Sequence, residues 1–241
     1  MTTFALKIIA LTAMIIDHTG DVYALAIPDS FALRLIGRIA FPLYAFLIAQ
    51  GCRHTRDIKK YMLRLGIFAL ISEIPFDLCF EYPYAWLTFD YQNVFFTLFL
   101  SVFAIFAFTG AKGTKFFFLG IFAVPAAAYA AEFIKADYGA VGVLTIFFIY
   151  LAAENKIAQA MAMAAGMAAI YLPSLSYRIY LFNHRISVGL MAYVFSLIPV
   201  VLVMFYNGKR GPKLKYFFYA MYPAHLLVLA ALQYYPIFPA T

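Results

Sequence analysis

The chain has 241 residues, of which 66% are hydrophobic and 12% are charged, and its mean hydropathy is +0.87. A soluble domain is typically about half apolar and about a quarter charged, so this composition excludes an ordinary soluble protein and indicates an integral membrane protein. The net charge of +7 would also suit a nucleic-acid-binding protein. In a membrane protein the positions of the charges carry more information than their sum, and no nucleic-acid partner is predicted.

Apolar runs of roughly 20 residues, broken by Gly, Pro and charge clusters, predict transmembrane helices. The first run has one lysine and no small-residue cleavage site, so we expect a retained span and not a removed signal peptide. No repeat and no long linker divides the chain. The sequence therefore predicts an all-α, polytopic transmembrane helix bundle in which residues 1–241 form a single domain. Nine spans are expected at about 4–17, 31–50, 59–77, 91–109, 115–133, 139–153, 156–173, 188–206 and 215–235.

The basic residues set the orientation of this bundle, because cytoplasmic loops carry the excess of Lys and Arg. With the N-terminus inside, the inner loops hold 11 of the 18 basic residues, the outer loops hold 3 and the spans hold 4. We therefore predict a cytoplasmic N-terminus. Cys52 and Cys79 then fall at opposite ends of the third span, too far apart for a disulfide.

The first span is predicted to end in an acid-base pair, Asp17 and His18. In a functional interpretation, His18 is a general base that Asp17 orients. Adjacent helical residues point about 100° apart, so both can reach one site only if the helix frays at Thr19 and Gly20. The alternative is an interfacial helix end whose polar residues face water.

Two arginines and a glutamate lie in the next two spans. Arg34 and Arg38 are one turn apart and share a helix face. Charges inside a span are costly and usually face a cavity or a partner. Arg38 is expected to pair with Glu73, to bind an anionic group, or to stabilise an oxyanion. Glu73, two residues before Pro75, is either that structural partner or a carboxylate that handles protons.

Two further polar residues belong to the fourth and ninth spans. Asn93 opens the fourth span, where it is a second candidate for the oxyanion. His225 lies about 15 Å along the ninth span, near the midplane, at a helical rise of 1.5 Å per residue. It is either a hydrogen-bonded packing residue or a second acid-base group.

The inner loop after the second span is basic and contains Arg53, Lys59 and Lys60. Such a loop usually sets the topology and attracts anionic lipid. Here it could also meet a phosphate-rich donor. The sequence has no metal-ligand spacing, P-loop, GxSxG or Rossmann fingerprint, so no metal is predicted.

The blocks that hold these residues resemble the TraX family. They are LKIIALTAMIIDHTG, RLIGRIAFPLYAFLIAQG, HTRDIKKYMLRLGIFALISEIPFDL, QNVFFTL and KYFFYAMYPAHLLVL, mainly within 6–80, 92–98 and 215–229. The resemblance implies a multi-pass protein of the bacterial cytoplasmic membrane that uses acetyl-coenzyme A as an acetyl donor. Founding members of the family are known for N-acetylating conjugative pilin. The recurring polar positions of the family correspond here to Asp17, His18, Arg38, Arg53, Glu73, Asn93 and His225.

These observations lead to the hypothesis of an acetyltransferase that works across the bilayer. Acetyl-coenzyme A would bind from the cytoplasm through Arg53, Lys59 and Lys60, with Lys209 and Arg210 as further candidates. Arg34 and Asn93 would also line the binding site. The acceptor would be a protein, glycan or lipid at the outer face, deprotonated by His18. His225 would position the thioester or protonate the leaving thiolate, and Glu73 would hold Arg38. No Cys or Ser is placed as a nucleophile, so direct transfer is favoured over an acyl-enzyme.

Two other classes of function stay open at this point. A proton-coupled transporter or channel would also place His, Asp and Glu inside its spans. A non-catalytic envelope assembly factor could use the same polar groups only to fix helix packing.

Overall fold

A computed structural model describes residues 1–24, 27, 30–80, 87–152, 154–176, 178–181 and 184–234, with side chains described for all of these except 175–186 and 234. Within these ranges the chain forms α-helices, one 3-10 helix at Leu172–Ser176 and one antiparallel β-hairpin. The elements are α1 (Thr3–Val22), α2 (Ser30–Gly37), α3 (Ala40–His54), α4 (Ile58–Phe80), α5 (Val94–Ala111), α6 (Phe117–Phe133), α7 (Gly139–Leu151), α8 (Lys156–Tyr171), β1 (Arg178–Leu181), β2 (His184–Ser187), α9 (Val188–Ser196), α10 (Ile198–Met204) and α11 (Lys215–Tyr234).

Helices occupy each of the nine stretches predicted as spans, so the helical membrane bundle is confirmed. Five stretches meet the length and hydropathy of a full span: α1, α2 with α3, α5, α8 and α11. The other four are α4, which carries more charge, and α6, α7 and α9 with α10, which are shorter. The number of complete crossings therefore stays a prediction. Large apolar side chains such as Leu70, Phe118 and Val228 are exposed on the outside, as expected where lipid covers the protein.

The second predicted span is two helices, α2 and α3, that meet at Arg38 and Ile39. The N–H groups of both residues donate to carbonyls three residues back, Leu35 and Ile36, at 3.1 Å. Pro42 explains the break, because it has no N–H to donate to the carbonyl four residues earlier, which is that of Arg38. The break leaves Arg38 at a helix junction instead of on a regular helix face.

The hairpin of β1 and β2 is a feature that an all-α prediction omits. Its backbone pairs Arg178 with Ser187 and Leu181 with His184. Strands of four residues are too short to show a clear alternation of polar and apolar residues, which is why the sequence pattern did not reveal them.

Helix α3 forms the centre of the bundle. Most of its residues from Ala40 to Cys52 are buried, and it contacts α1, α5, α7 and α10. A helix that is apolar on all sides is stable only when other helices surround it. Small residues allow close packing elsewhere: Ala127, Ala128 and Ala131 of α6 are buried, and Gly166 of α8 lies against Thr145 of α7.

The loops gather at two ends as the alternating topology predicts. At the end assigned to the cytoplasm, the N–H of Thr3 donates to the carbonyl of Lys209 at 2.8 Å, and the Arg210 side chain donates to the carbonyl of His54 at 3.2 Å. At the opposite end, the N–H of Gln92 donates to the carbonyl of Lys135 at 3.0 Å.

Cysteine labelling tests the assigned orientation. In a background with Cys52 and Cys79, both buried, replaced by Ser, we expect a membrane-impermeant maleimide to label Asp90→Cys in intact spheroplasts. Lys112→Cys should react only after permeabilisation, because its loop faces the cytoplasm. Both positions are exposed. The reverse labelling pattern would show that the N-terminus lies outside.

Candidate active site

Helix α1 does not end at Asp17, contrary to the prediction from sequence. It begins after Thr2, whose hydroxyl accepts from the N–H of Ala5, and runs without fraying to Val22. Asp17 and His18 therefore lie on a regular helix and point about 100° apart. Asp17 faces α2 and His18 faces α11, so they belong to two neighbouring clusters.

The first cluster joins Asp17 to both arginines of the α2–α3 segment. Asp17 contacts Arg34 at 3.1 Å and Arg38 at 3.3 Å, and Arg34 also contacts Asp21 at 3.1 Å. The Asp17 side chain is only 13% exposed. Removing one member of such a buried group is strongly destabilising, because the remaining charge loses its partner.

The cluster depends on a close approach at Gly37. A Cβ atom at this position would overlap the side chain of Asp17. Only glycine lets the α2 backbone pass so near to the carboxylate. Gly37 thereby sets the distance at which Arg34 and Arg38 reach Asp17.

The second cluster is a pair of histidines between α1 and α11. Nδ1 of His18 lies 2.7 Å from Nε2 of His225, with the rings near parallel at 17°. His225 is buried, and its Nδ1 lies 2.8 Å from the carbonyl of Met221. The rings of Phe80 and Tyr222 pack edge-on against His18.

These contacts define the tautomers of the neutral pair. A carbonyl only accepts, so Nδ1 of His225 carries the hydrogen and donates to Met221, which leaves its Nε2 as an acceptor. Nδ1 of His18 must then donate to that Nε2. The remaining nitrogen, Nε2 of His18, carries a lone pair, which is the form that a general base requires.

Glu73 pairs with Asn93 and not with Arg38, so the predicted Arg38–Glu73 ion pair is wrong. The amide of Asn93 donates to Oε2 of Glu73 and, at 2.9 Å, to the carbonyl of Ala69, while its oxygen accepts from the N–H of Phe95. Both amide hydrogens are used, so Asn93 caps α5 and has no donor left for an oxyanion. Oε1 of Glu73 is buried without a hydrogen-bond partner among the described residues.

A cavity of about 570 Å³ opens at the end assigned to the cytoplasm. Its mouth includes His54, Arg210 and Lys213, and its far end includes Met14 and Tyr222. Two helix faces lead from it to the histidines. On α1 the residues are Phe4, Lys7, Met14 and then His18, and on α11 they are Lys215, Phe218, Tyr219, Tyr222 and then His225.

Spacings of three, four and seven residues keep side chains on one helix face. His18 lies one turn beyond Met14, and His225 lies one turn beyond Tyr222, whose ring centroid is 5.6 Å from that of His225. The histidine pair therefore sits directly past the inner end of the cavity.

Most of the residues predicted to hold the donor do not line this cavity. Arg53 contacts Glu154 at 3.3 Å, Lys60 contacts Asp57 at 3.5 Å and Lys59 lies over the ring of Phe106. Of the predicted basic residues, Arg210 does line it. Lys7 and Arg64 also line it and were missed, although the spacing from Lys7 to Met14 and His18 was a usable signal.

Within the described part of the chain, no group of three or more His, Cys, Asp or Glu is placed to hold a metal ion.

At the opposite end, Asp137 extends the arginine cluster from the loop between α6 and α7. The hydroxyl of Tyr91 donates to its carboxylate at 2.9 Å. Burial raises the pKa of Asp137 to about 6, against the lowering effects of the Tyr91 hydrogen bond and the Arg38 charge. The sequence did not single out Asp137, because it lies in a short loop between two undiagnostic apolar runs.

The fold and these intramembrane polar clusters define a multi-pass membrane protein. The sequence profile described as "TraX protein" matches residues 3–233, and the chain belongs to the TraX family. A protein of Dichelobacter nodosus described as "Probable fimbrial assembly protein FimC, serogroup H1" is 29% identical over 250 residues, which cover 95% of this chain and 95% of that protein. No solved structure matches the chain significantly.

Replacing Gly37 by Ala should disturb the arginine cluster. The added methyl group must displace Asp17, and overpacking of this kind costs typically about 1–3 kcal/mol. Gly110 of α5 is a matched control, because a Cβ there meets nothing within 4 Å. We expect the melting temperature of the detergent-purified protein to fall for Gly37→Ala and to stay level or rise for Gly110→Ala. Equal effects would contradict the role of Gly37.

Asp137 should make stability depend on pH. Its pKa of about 6 in the folded protein exceeds the ordinary 3.8, so between these values the folded state holds a proton that the unfolded state has lost. The free energy of unfolding of the wild type therefore falls as pH rises from about 4 to about 6. Asp137→Asn should lose this slope in melting experiments across that range. Asp90→Asn, a change in the neighbouring outer loop, should keep it.

Proposed function

We propose that this protein is a membrane-embedded acetyltransferase that moves an acetyl group from cytoplasmic acetyl-coenzyme A to an acceptor at the outer side of the membrane. One observation carries the proposal: the hydrogen-bonded pair of His18 and His225 lies one helical turn beyond Met14 and Tyr222, which line a cavity that opens among basic residues. Such a cavity suits a donor with a charged head and a long arm. A base just beyond the inner end of the cavity suits acyl transfer.

In the proposed step, Nε2 of His18 takes the proton from the acceptor amine or hydroxyl. The freed lone pair attacks the thioester carbonyl, a carbon–nitrogen or carbon–oxygen bond forms, and the carbon–sulfur bond breaks. The proton on His18 then passes to the leaving thiolate, so that His18 returns to its neutral form. No acyl-enzyme is needed, and coenzyme A leaves as the free thiol.

His225 takes the role that the sequence assigned to Asp17. It accepts from Nδ1 of His18 and is itself anchored on the carbonyl of Met221. This chain of hydrogen bonds holds the ring of His18 and stabilises the imidazolium that forms when His18 is protonated. The same arrangement of base and orienting partner serves other acyl-transfer enzymes.

The arginine cluster and Glu73 serve the acceptor side in this proposal. Arg38, held by its ion pair with Asp17, would turn an N–H group toward the oxyanion. Glu73, with its unpaired buried oxygen, is suited to hold a proton near the α4–α5 contact. The family and the fimbrial assembly protein that resembles this chain support a pilin-like amine as acceptor. A glycan or lipid hydroxyl is the other class.

The test uses inverted membrane vesicles from cells that make the protein, supplied with radiolabelled acetyl-coenzyme A. We expect labelled envelope material, identified by a mass increase of one acetyl group. His18→Ala should lower labelling by about 10²–10⁴-fold, the usual contribution of a general base. His225→Ala should lower it less, because the base remains but loses its orienting partner.

Thr109→Val is the control variant. Its hydroxyl bonds only to carbonyls of its own helix, and it does not line the cavity. Normal labelling by a folded His18→Ala protein would remove His18 as the base. Envelope assembly that needs the protein but survives His18→Ala, without any labelling, would indicate a non-catalytic assembly factor.

A further inference from the structure

The cavity carries two intramembrane cations, Lys7 of α1 and Arg64 of α4. Neither forms an ion pair with a carboxylate among the described residues. Lys7 lies 5.1 Å from the ring centroid of Phe218, and Arg64 lies 5.7 Å from that of Tyr61. Aromatic faces shield a cation but do not neutralise it. A positive charge kept inside a span without a counterion is costly and indicates a functional site.

The charge of the cavity lining has one sign. The described lining contains Lys7, Arg64, Arg210, Lys213 and Lys215 and no Asp or Glu. Nε of Arg64 is also buried without a hydrogen-bond acceptor. A buried guanidinium N–H that lacks an acceptor costs free energy unless a ligand supplies one.

Depth separates these five cations into two groups. Arg210, Lys213 and Lys215 stand at the mouth, where the loop before α11 meets the N-terminus. Lys7 lies within α1, 11 residues before His18, which is about 16 Å at 1.5 Å per residue. An extended phosphopantetheine arm spans a comparable distance. An anion held at Lys7 can thus belong to the same molecule as a thioester at His18.

We propose that Lys7 and Arg64 form a phosphate-binding subsite inside the cavity, which holds the phosphate group of a ligand while the cations of the mouth attract it. Phosphate oxygens would accept from Nζ of Lys7 and from Nε of Arg64. The inference rests on the proposed function only for the identity of the ligand as a coenzyme A thioester. The shared chemistry, a phosphate in the cavity, could also come from a lipid headgroup.

Calorimetric titration of free coenzyme A into the purified protein tests the subsite. In nanodiscs of phosphatidylcholine, we expect Lys7→Met and Arg64→Met each to weaken binding by about 10- to 100-fold, as for the loss of a hydrogen bond to a charged group. Lys7→Arg should restore most of the affinity, because it keeps the charge. The double variant Lys112→Gln and Lys115→Gln removes two charges from an inner loop outside the cavity and should change binding less than about twofold.

Further measurements separate the sources of the phosphate. Competition by adenosine diphosphate, with no loss of affinity in phosphatidylglycerol nanodiscs, supports a soluble ligand. Phosphatidylglycerol retained in native mass spectra of the wild type, but not of Lys7→Met, supports a lipid headgroup at the same subsite. Coenzyme A affinity that is unchanged in both folded Met variants, with no lipid retained, would overturn the proposal.

The outcomes also separate this inference from the proposed function. Coenzyme A that binds through Lys7 and Arg64 without any acetyl transfer would refute the acetyltransferase and leave the subsite intact. Acetyl transfer by a protein whose affinity for coenzyme A does not depend on either residue would refute the subsite and leave the proposed acetyltransferase function intact.

Discussion

The unbroken helix α1 is the constraint on which the rest of the site depends. Asp17 and His18 are neighbours in the chain, yet the helix turns their side chains about 100° apart. Asp17 meets Arg34 and Arg38, and His18 meets His225. Two polar clusters thereby share one depth in the bundle without sharing partners. In a loop, Asp17 and His18 could act together as a dyad. In this helix, each of them belongs to a different helix interface.

The cost of charge in a membrane explains which polar groups are paired. Asp17 lies between two arginines, and Glu73 shares the amide of Asn93. These contacts are made inside the bundle, where each replaces water that the bilayer excludes. The cations Lys7 and Arg64 of the cavity differ, because their surroundings are aromatic and they line a cavity that opens at the end assigned to the cytoplasm. Ion pairs join the helices at Asp17, whereas Lys7 and Arg64, which have no carboxylate partner among the described residues, line the cavity.

The two ends of the bundle differ in character as a result. The end assigned to the cytoplasm has a cavity with a positive lining that includes Tyr222, whose ring packs against His18. Among the described residues, the opposite end has short polar contacts, including those of Tyr91 with Asp137 and Gln92 with Lys135. In the proposed function, the donor would enter from the end that holds the cavity, and the acceptor would meet it from the opposite side.

Composition and apolar periodicity by themselves determined the membrane class, the positions of the helices and the alternation of the loops. These properties follow from local requirements, because every span must be long and apolar and must satisfy its own backbone. The block pattern also indicated the TraX family and identified the polar residues His18, Arg38, Glu73 and His225 as candidate site residues.

Only the tertiary structure decided which of these residues meet. Which side chains contact each other depends on the rotation of each helix and on close approaches such as that at Gly37. The hydropathy pattern determines neither of these. Arg38 was expected to bind Glu73 and binds Asp17 instead, while His18 gained His225 from a helix 207 residues away. The sequence did not distinguish Lys7 and Arg64 from other residues of the spans, whereas the fold places both in the lining of one cavity. Pairings between distant helices are set by packing, so a sequence can nominate the members of a site but not their contacts.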